Sequence, residues 1–110
     1  MVLERDPLWE NLVCRAVDRD PELALLPVPA PGDELGAVRR DRPDVVVLGL
    51  ATVADQAAGP ILAAVEASGG SIVALVTDLV GDAGAAPHGF RAVVARSEPI
   101  TLLLDALKTR

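Results

Sequence analysis

Few side chains in this chain of 110 residues could do chemistry. Glu4 and Arg5 follow a short apolar start, Val2-Leu3. Gly49 closes most of the run from Arg42 to Leu50, RPDVVVLGL; Thr77 follows Ser71 to Val76, SIVALV; Arg96 follows Arg91 to Ala95, RAVVA. A carboxylate, two guanidinium forks, a hydroxyl and a glycine that leaves room make a set able to hold an anion or a small polar ligand. They are not a catalytic set. His88 lies in a Pro-His-Gly turn without a second titratable group beside it, and Cys14 lies within a helical stretch. No Ser-His-Asp or Cys-His arrangement and no Gly-rich phosphate loop can be assembled. One thiol and one histidine make neither a disulfide nor a zinc site. The expectation is a protein that is not an enzyme and needs no metal or cofactor.

The element that must position these residues is RPDVVVLGL. Val45 to Leu48 are four large apolar residues in succession. A run without polar alternation is buried on both faces, as in the centre of a parallel sheet with helices on either side. Pro43 has no N–H to give and suits the start of such a strand. SIVALV reads as a second central strand, RAVVA as a later one, and Val2-Leu3 as the first. Leu23 to Val28 is a further apolar run of strand length, but Pro27, Pro29 and Pro31 restrict it to an edge.

Helices alternate with these strands. Asp6 and Pro7 give an N-cap and a first helical residue. Leu8, Leu12 and Ala16, with Trp9, Val13 and Val17, continue as an apolar stripe to about Asp18. Asp33 caps a short helix that carries Leu35 and Val38 and ends near Arg40. Gly59-Pro60 opens a third helix with Ile61, Leu62, Val65 and Ala67 inward, stopped by Gly69-Gly70. Ser97 to Pro99 precede a last helix bearing Ile100, Leu103, Leu104 and Leu107. Between Thr77 and Gly89 the pattern weakens, with room for a turn or two of helix. The predicted architecture is one α/β domain over residues 1–110. Its doubly wound, five-stranded parallel sheet has flavodoxin-like order, and its fourth helix is shortened or absent. That order sets RPDVVVLGL between the first strand and SIVALV. Glu4, Arg5, Gly49, Thr77 and Arg96 then converge at the carboxyl ends of the strands, where open α/β sheets bind ligands.

Composition narrows the function classes. The chain is 51% hydrophobic, but no apolar run approaches the length of a membrane span, and no basic-then-apolar leader opens it. The cytoplasm is the expected compartment. A formal net charge of −6 opposes nonspecific binding to nucleic-acid phosphates. Arg15 and Arg19 share their helix with Glu10 and Asp18, and Arg39, Arg40 and Arg42 sit beside Asp41 and Asp44. Both groups read as solvated faces of mixed charge.

The chain resembles the receiver domain of bacterial response regulators, the CheY-like family. VLERDPLW resembles the family's acidic pair and its Pro-Leu step into the first helix. RPDVVVLGL resembles the strand ending in the phosphoacceptor aspartate, and IVALVTD the strand with the switch Ser/Thr. GFRAVVARSEPITLLLDAL resembles the fifth strand, the lysine and the last helix, and is most similar to the subgroup attached to helix-turn-helix transcription factors. The likeness spans nearly all 110 residues. It implies a receiver fold with a degenerate phosphorylation site at Glu4, Arg5, Gly49, Thr77 and Arg96. Gly49 stands at the phosphoacceptor position and has no carboxylate. Arg5 stands in the acidic pair, Val93 at the switch aromatic and Arg96 at the lysine. The stretch from Thr77 to Gly89 is shorter than in the family. Arg5 either reaches into the vacated acidic pocket, to pair with Glu4 or Asp78, or lies over apolar surface with its head in water.

These departures imply a pseudo-receiver that regulates signalling or transcription without phosphorylation, as a homodimer or by docking a protein partner. No nucleic acid would be contacted by this domain itself. The resemblance suggests a DNA-binding domain after Arg110. A small-molecule sensor with an anionic ligand at Gly49, Thr77 and Arg96 is the alternative, and a structural interaction module a third. The last helix carries more apolar residues than one buried stripe needs. Trp9, Leu103, Leu104 and Leu107 are therefore the expected partner surface.

Overall fold

Residues 1–30, 32–49, 55–76 and 90–108 are described by a computed structural model, with the side chains of residues 55–58 excepted. Thr77, Asp78, His88 and the segment expected to hold the shortened fourth helix lie outside the described residues. The elements are β1 (Val2–Leu3), α1 (Pro7–Arg19), α2 (Glu34–Asp41), β2 (Val45–Gly49), α3 (Asp55–Ala67), β3 (Ser71–Val76), β4 (Ala92–Ala95) and α4 (Ile100–Lys108). The four strands form one parallel sheet in the order β1-β2-β3-β4. Val47 is opposite Val2 on one side and Val73 on the other, so β2 is central as its unalternated valines require.

Successive residues of the strands feed opposite layers. Leu3, Val46, Leu48 and Ile72 pack with Ala37 and Val38 of α2 and with Ile61 and Val65 of α3. Val2, Val47, Val73, Leu75 and Val94 pack with Val13 and Val17 of α1 and with Leu103 and Leu107 of α4. The sheet is thus covered on both faces, an α/β arrangement compatible with a flavodoxin-like fold. No described helix is long and apolar enough to cross a membrane.

The expected edge strand over Leu23–Val28 does not form, so four strands are present among the described residues where five were expected. Leu23 and Leu25 still pack against one core and Leu26 against the other, giving the two-sided contact of a strand. Pro27 and Pro29, two apart, remove two donors from the same side of the segment. The segment keeps the packing and loses the ladder.

Local signals set most helix starts. Asp6 Oδ1 accepts from Leu8 N–H at 3.0 Å with Pro7 as the first helical residue, as the sequence predicts. Asp33 stands at the N-cap of α2 but makes no side-chain capping bond. The start of α3 is Asp55, four residues before Gly59, which leaves Pro60 inside the helix. Only one i→i−4 bond depends on the missing N–H, and the apolar face of Ile61 and Val65 outweighs it.

Candidate functional site

Glu4 leaves β1 at the carboxyl end of the sheet and is fully buried. Its Oε2 accepts from Arg96 Nη2 at 2.7 Å, and its Oε1 accepts from the Asp6 N–H at 3.0 Å. Arg96 follows β4; its N–H donates to Val76 O at 2.8 Å, which fixes where the side chain sets out. The guanidinium lies over Trp9 with Cζ 5.3 Å from the ring centroid, and Nη1 is 4.0 Å from Asp6 Oδ2. A buried carboxylate is tolerated when it is both paired and hydrogen-bonded, and the loss of either partner costs about 3–5 kcal/mol. The ring adds about 0.5–2 kcal/mol of cation–π attraction. Arg96 Nε is buried without a hydrogen-bond partner, so the stacking and the ion pair dictate the geometry rather than full satisfaction of the fork.

Gly49 ends β2 directly beneath this pair. A Cβ added there would lie 2.6 Å from Glu4 Cδ, closer than atoms of real side chains come. The carboxylate of Glu4 therefore uses the space that a side chain at position 49 would need. Three of the five predicted site residues, Glu4, Gly49 and Arg96, come together, while Thr77 lies outside the described residues.

Arg5 turns the other way. Its guanidinium pairs with Glu34 at the start of α2, and its Nη1 donates to Pro29 O at 3.2 Å. It is not simply in solvent; it fastens the strandless segment to α2, and the expected pairing with Asp78 falls outside the described residues. Burial pushes the Glu34 carboxyl up, but the Arg5 hydrogen bond and nearby backbone donors outweigh it and hold it below its ordinary value.

The receiver resemblance brings with it a hard divalent cation. Mg²⁺ needs several oxygen ligands in octahedral array. Here the carboxylate of Glu4 is already held by a guanidinium and Gly49 offers no side-chain ligand, so these residues do not fit the ion. Among the described residues no group of three or more His, Cys, Asp or Glu could hold a metal.

The expected partner surface is corrected by burial. Leu103 and Leu107 are 1% and 6% exposed and face the sheet, and Leu104 packs partly against the same core. Trp9 is half-buried under Arg96. Among the described residues the large apolar side chains in solvent are Leu8, Leu12 and Leu102. The sequence shows surplus leucine on the last helix, but the stripe that is surplus depends on where the sheet lies. Reasoning from sequence also missed Glu34, the Trp9–Arg96 contact and an ion pair between Lys108 and Asp20 at 2.8 Å. The hydrogen bond within that pair lowers the Asp20 carboxyl and raises the Lys108 ammonium relative to their ordinary values. Burial pushes the Cys14 thiol up, away from a reactive thiolate.

A cleft of ≈ 790 Å³ lies at the opposite, amino end of the sheet, against Met1, Asp44, Ser71, Arg91 and Lys108. Two of its cations, Arg91 and Lys108, are engaged within the fold. Arg91 Nη2 donates to the last carbonyls of α4, Ala106 O at 2.6 Å and Leu107 O at 3.0 Å, and Lys108 holds Asp20. No protein-family model matches the chain, and no curated protein matches it in sequence.

Proposed function

We propose that this chain is a receiver-like regulatory domain that works by binding, without phosphorylation and without catalysis. One observation carries the reading: the space above Gly49, where the resemblance would have a phosphoacceptor carboxylate, is taken by the buried Glu4 carboxylate clamped to Arg96. Receiver chemistry needs an open carboxylate, a metal and a free cation for the phosphoryl group. In this crevice the buried carboxylate of Glu4 and the cation at the lysine position neutralise each other.

The output of such a domain is contact with a second copy or a protein partner, in bacterial signalling or transcription control, as the subgroup resemblance suggests. A cytoplasmic location belongs to the same proposal. A ligand sensor at the crevice is less well supported, because binding there would have to displace Glu4 from Arg96. Incubation with acetyl phosphate, followed by intact-mass measurement at neutral pH, tests the reading. The expected result is an unmodified chain, and an acid-labile phosphoryl adduct on an aspartate would overturn it.

A further inference from the structure

We infer that the cleft at the amino end of the sheet is a binding site for an α-amino acid with a large apolar side chain. The site goes beyond the function proposed above and is independent of the crevice over Gly49, which lies at the other end of the strands. Its volume of ≈ 790 Å³ is that of a ligand site, which holds about 300–1,000 Å³. Strand register builds one side of it. Ser71 is opposite Val45, and its N–H donates to Asp44 O at 3.1 Å. Gly70 lets the two segments close, since a Cβ there would lie 2.5 Å from Pro43 O. The stretch Arg42-Pro43-Asp44 is thereby held against the start of β3.

Most charges around the cleft already have partners. Lys108 holds Asp20 and Glu22, Asp41 has Arg40, and Arg91 Nη2 caps α4. The Met1 ammonium donates to Val45 O at 3.0 Å and feels Asp44 only beyond ion-pair distance. Arg42 and Asp44 remain. Both line the cleft and are exposed, and neither makes a salt bridge to the other or to any other group among the described residues. The Ser71 hydroxyl beside them likewise has no hydrogen-bond partner among those residues.

One uncommitted cation and one uncommitted anion select the ligand. A lone carboxylate would meet Asp44, Asp41 and Glu22, and a lone ammonium would meet Arg42, Arg91 and Lys108. A ligand with both charges satisfies both sides. Arg42 and Asp44 flank a single residue, so their Cα atoms are at most roughly 7 Å apart. That spacing suits a carboxylate and an ammonium on one carbon rather than the distant termini of a peptide. The Arg42 guanidinium and the Ser71 hydroxyl donate to the carboxylate, and the ammonium donates to Asp44. Leu23, Leu26, Val45 and Leu107 line the cleft as well and take an apolar side chain out of water. Leu23 and Leu26 belong to the segment that packs without a ladder, so this wall adjusts to a ligand without breaking backbone pairs.

Calorimetric titration of the full chain with L-leucine and L-phenylalanine tests the site. Isocaproate, isoamylamine and glycine serve as probes that lack the ammonium, the carboxylate and the side chain in turn. At least one of the two amino acids is expected to bind once per chain, and each truncated probe to bind about tenfold more weakly or worse. Arg42→Gln and Asp44→Asn each cost a similar factor. Both positions are exposed, and an unchanged melting midpoint without ligand verifies that the variants fold. Backbone amide shifts on binding are expected at Asp44, Ser71 and Leu107 and not at Glu4, Gly49 and Arg96. The inference is overturned if neither amino acid binds, if isocaproate or isoamylamine binds as tightly as L-leucine, or if both variants bind like the wild type. Shifts gathered around Glu4 and Gly49 overturn it too. Acetyl phosphate probes only the carboxyl end of the sheet, so the proposed function and this site can each fail alone.

Discussion

At the scale of single residues, positions 4 and 49 compete for one volume. Glu4 folds over Gly49 so closely that even a methyl group at 49 would come within 2.6 Å of Glu4 Cδ. Gly49→Ala must then push the buried carboxylate away from Arg96 or strain the end of β2, and overpacking of this kind costs about 1–3 kcal/mol. Glu4→Ala vacates the space but leaves Arg96 half-buried with its closer ion-pair partner gone and only Asp6, at 4.0 Å, remaining. In the double variant the methyl group finds room, so the cost should fall short of the sum of the single changes by about 0.5–3 kcal/mol. Urea unfolding of the four proteins measures this coupling, and strict additivity would mean that the two positions do not share space. The convergence of Glu4, Gly49 and Arg96 was legible in the sequence, because strand order alone brings the carboxyl ends together. The partners of Trp9 and Arg5 were not. Arg96 and Glu34 are distant in the chain, and nothing in the local pattern of either pair announces the contact.

At the scale of elements, the places where local signals failed have identifiable competitors. Periodicity made Leu23–Val28 a strand, and its leucines do pack as a strand's would, but a ladder needs donors that Pro27 and Pro29 do not have. Gly59-Pro60 reads as a helix start, yet tertiary burial of Ile61 and Val65 extends α3 back to Asp55. The end of α2 shows a different compromise. Arg42 is its C-cap in the left-handed region, at φ 46°, where its N–H donates to Val38 O. A side chain with a Cβ costs roughly 1–2 kcal/mol in that conformation, and glycine avoids most of the penalty. The Arg42 side chain is exposed, so little packing is lost with it. Arg42→Gly is therefore expected to raise stability by about 0.5–1 kcal/mol in thermal or denaturant unfolding. A loss of stability would mean that this arginine makes contacts worth more than its backbone strain.

At the scale of the whole chain, the sheet is what makes two cores one. Ile61 and Leu103 belong to opposite layers and are each 1% exposed, with β2 and β3 between them contributing residues to both. Removing the outer part of either side chain leaves a cavity that costs about 2–5 kcal/mol. A domain of this size has about 5–15 kcal/mol to lose, so either change alone is a large fraction of its stability. Were the layers independent, Ile61→Ala would melt α2 and α3 and leave α1 and α4 in place. They are not free to part in that way, since Val46 and Leu48 face one core while Val47 between them faces the other. Losing either layer exposes alternate residues of the same strand and removes the reason for its register. Ile61→Ala and Leu103→Ala should therefore each lower the midpoint of one shared transition, seen alike by Trp9 fluorescence on the α1 face and by far-ultraviolet circular dichroism. Their costs should add to within about 0.5 kcal/mol, because the side chains share no contact. A fluorescence transition that Ile61→Ala leaves in place, while the helical signal shifts, would show instead that the two layers unfold separately.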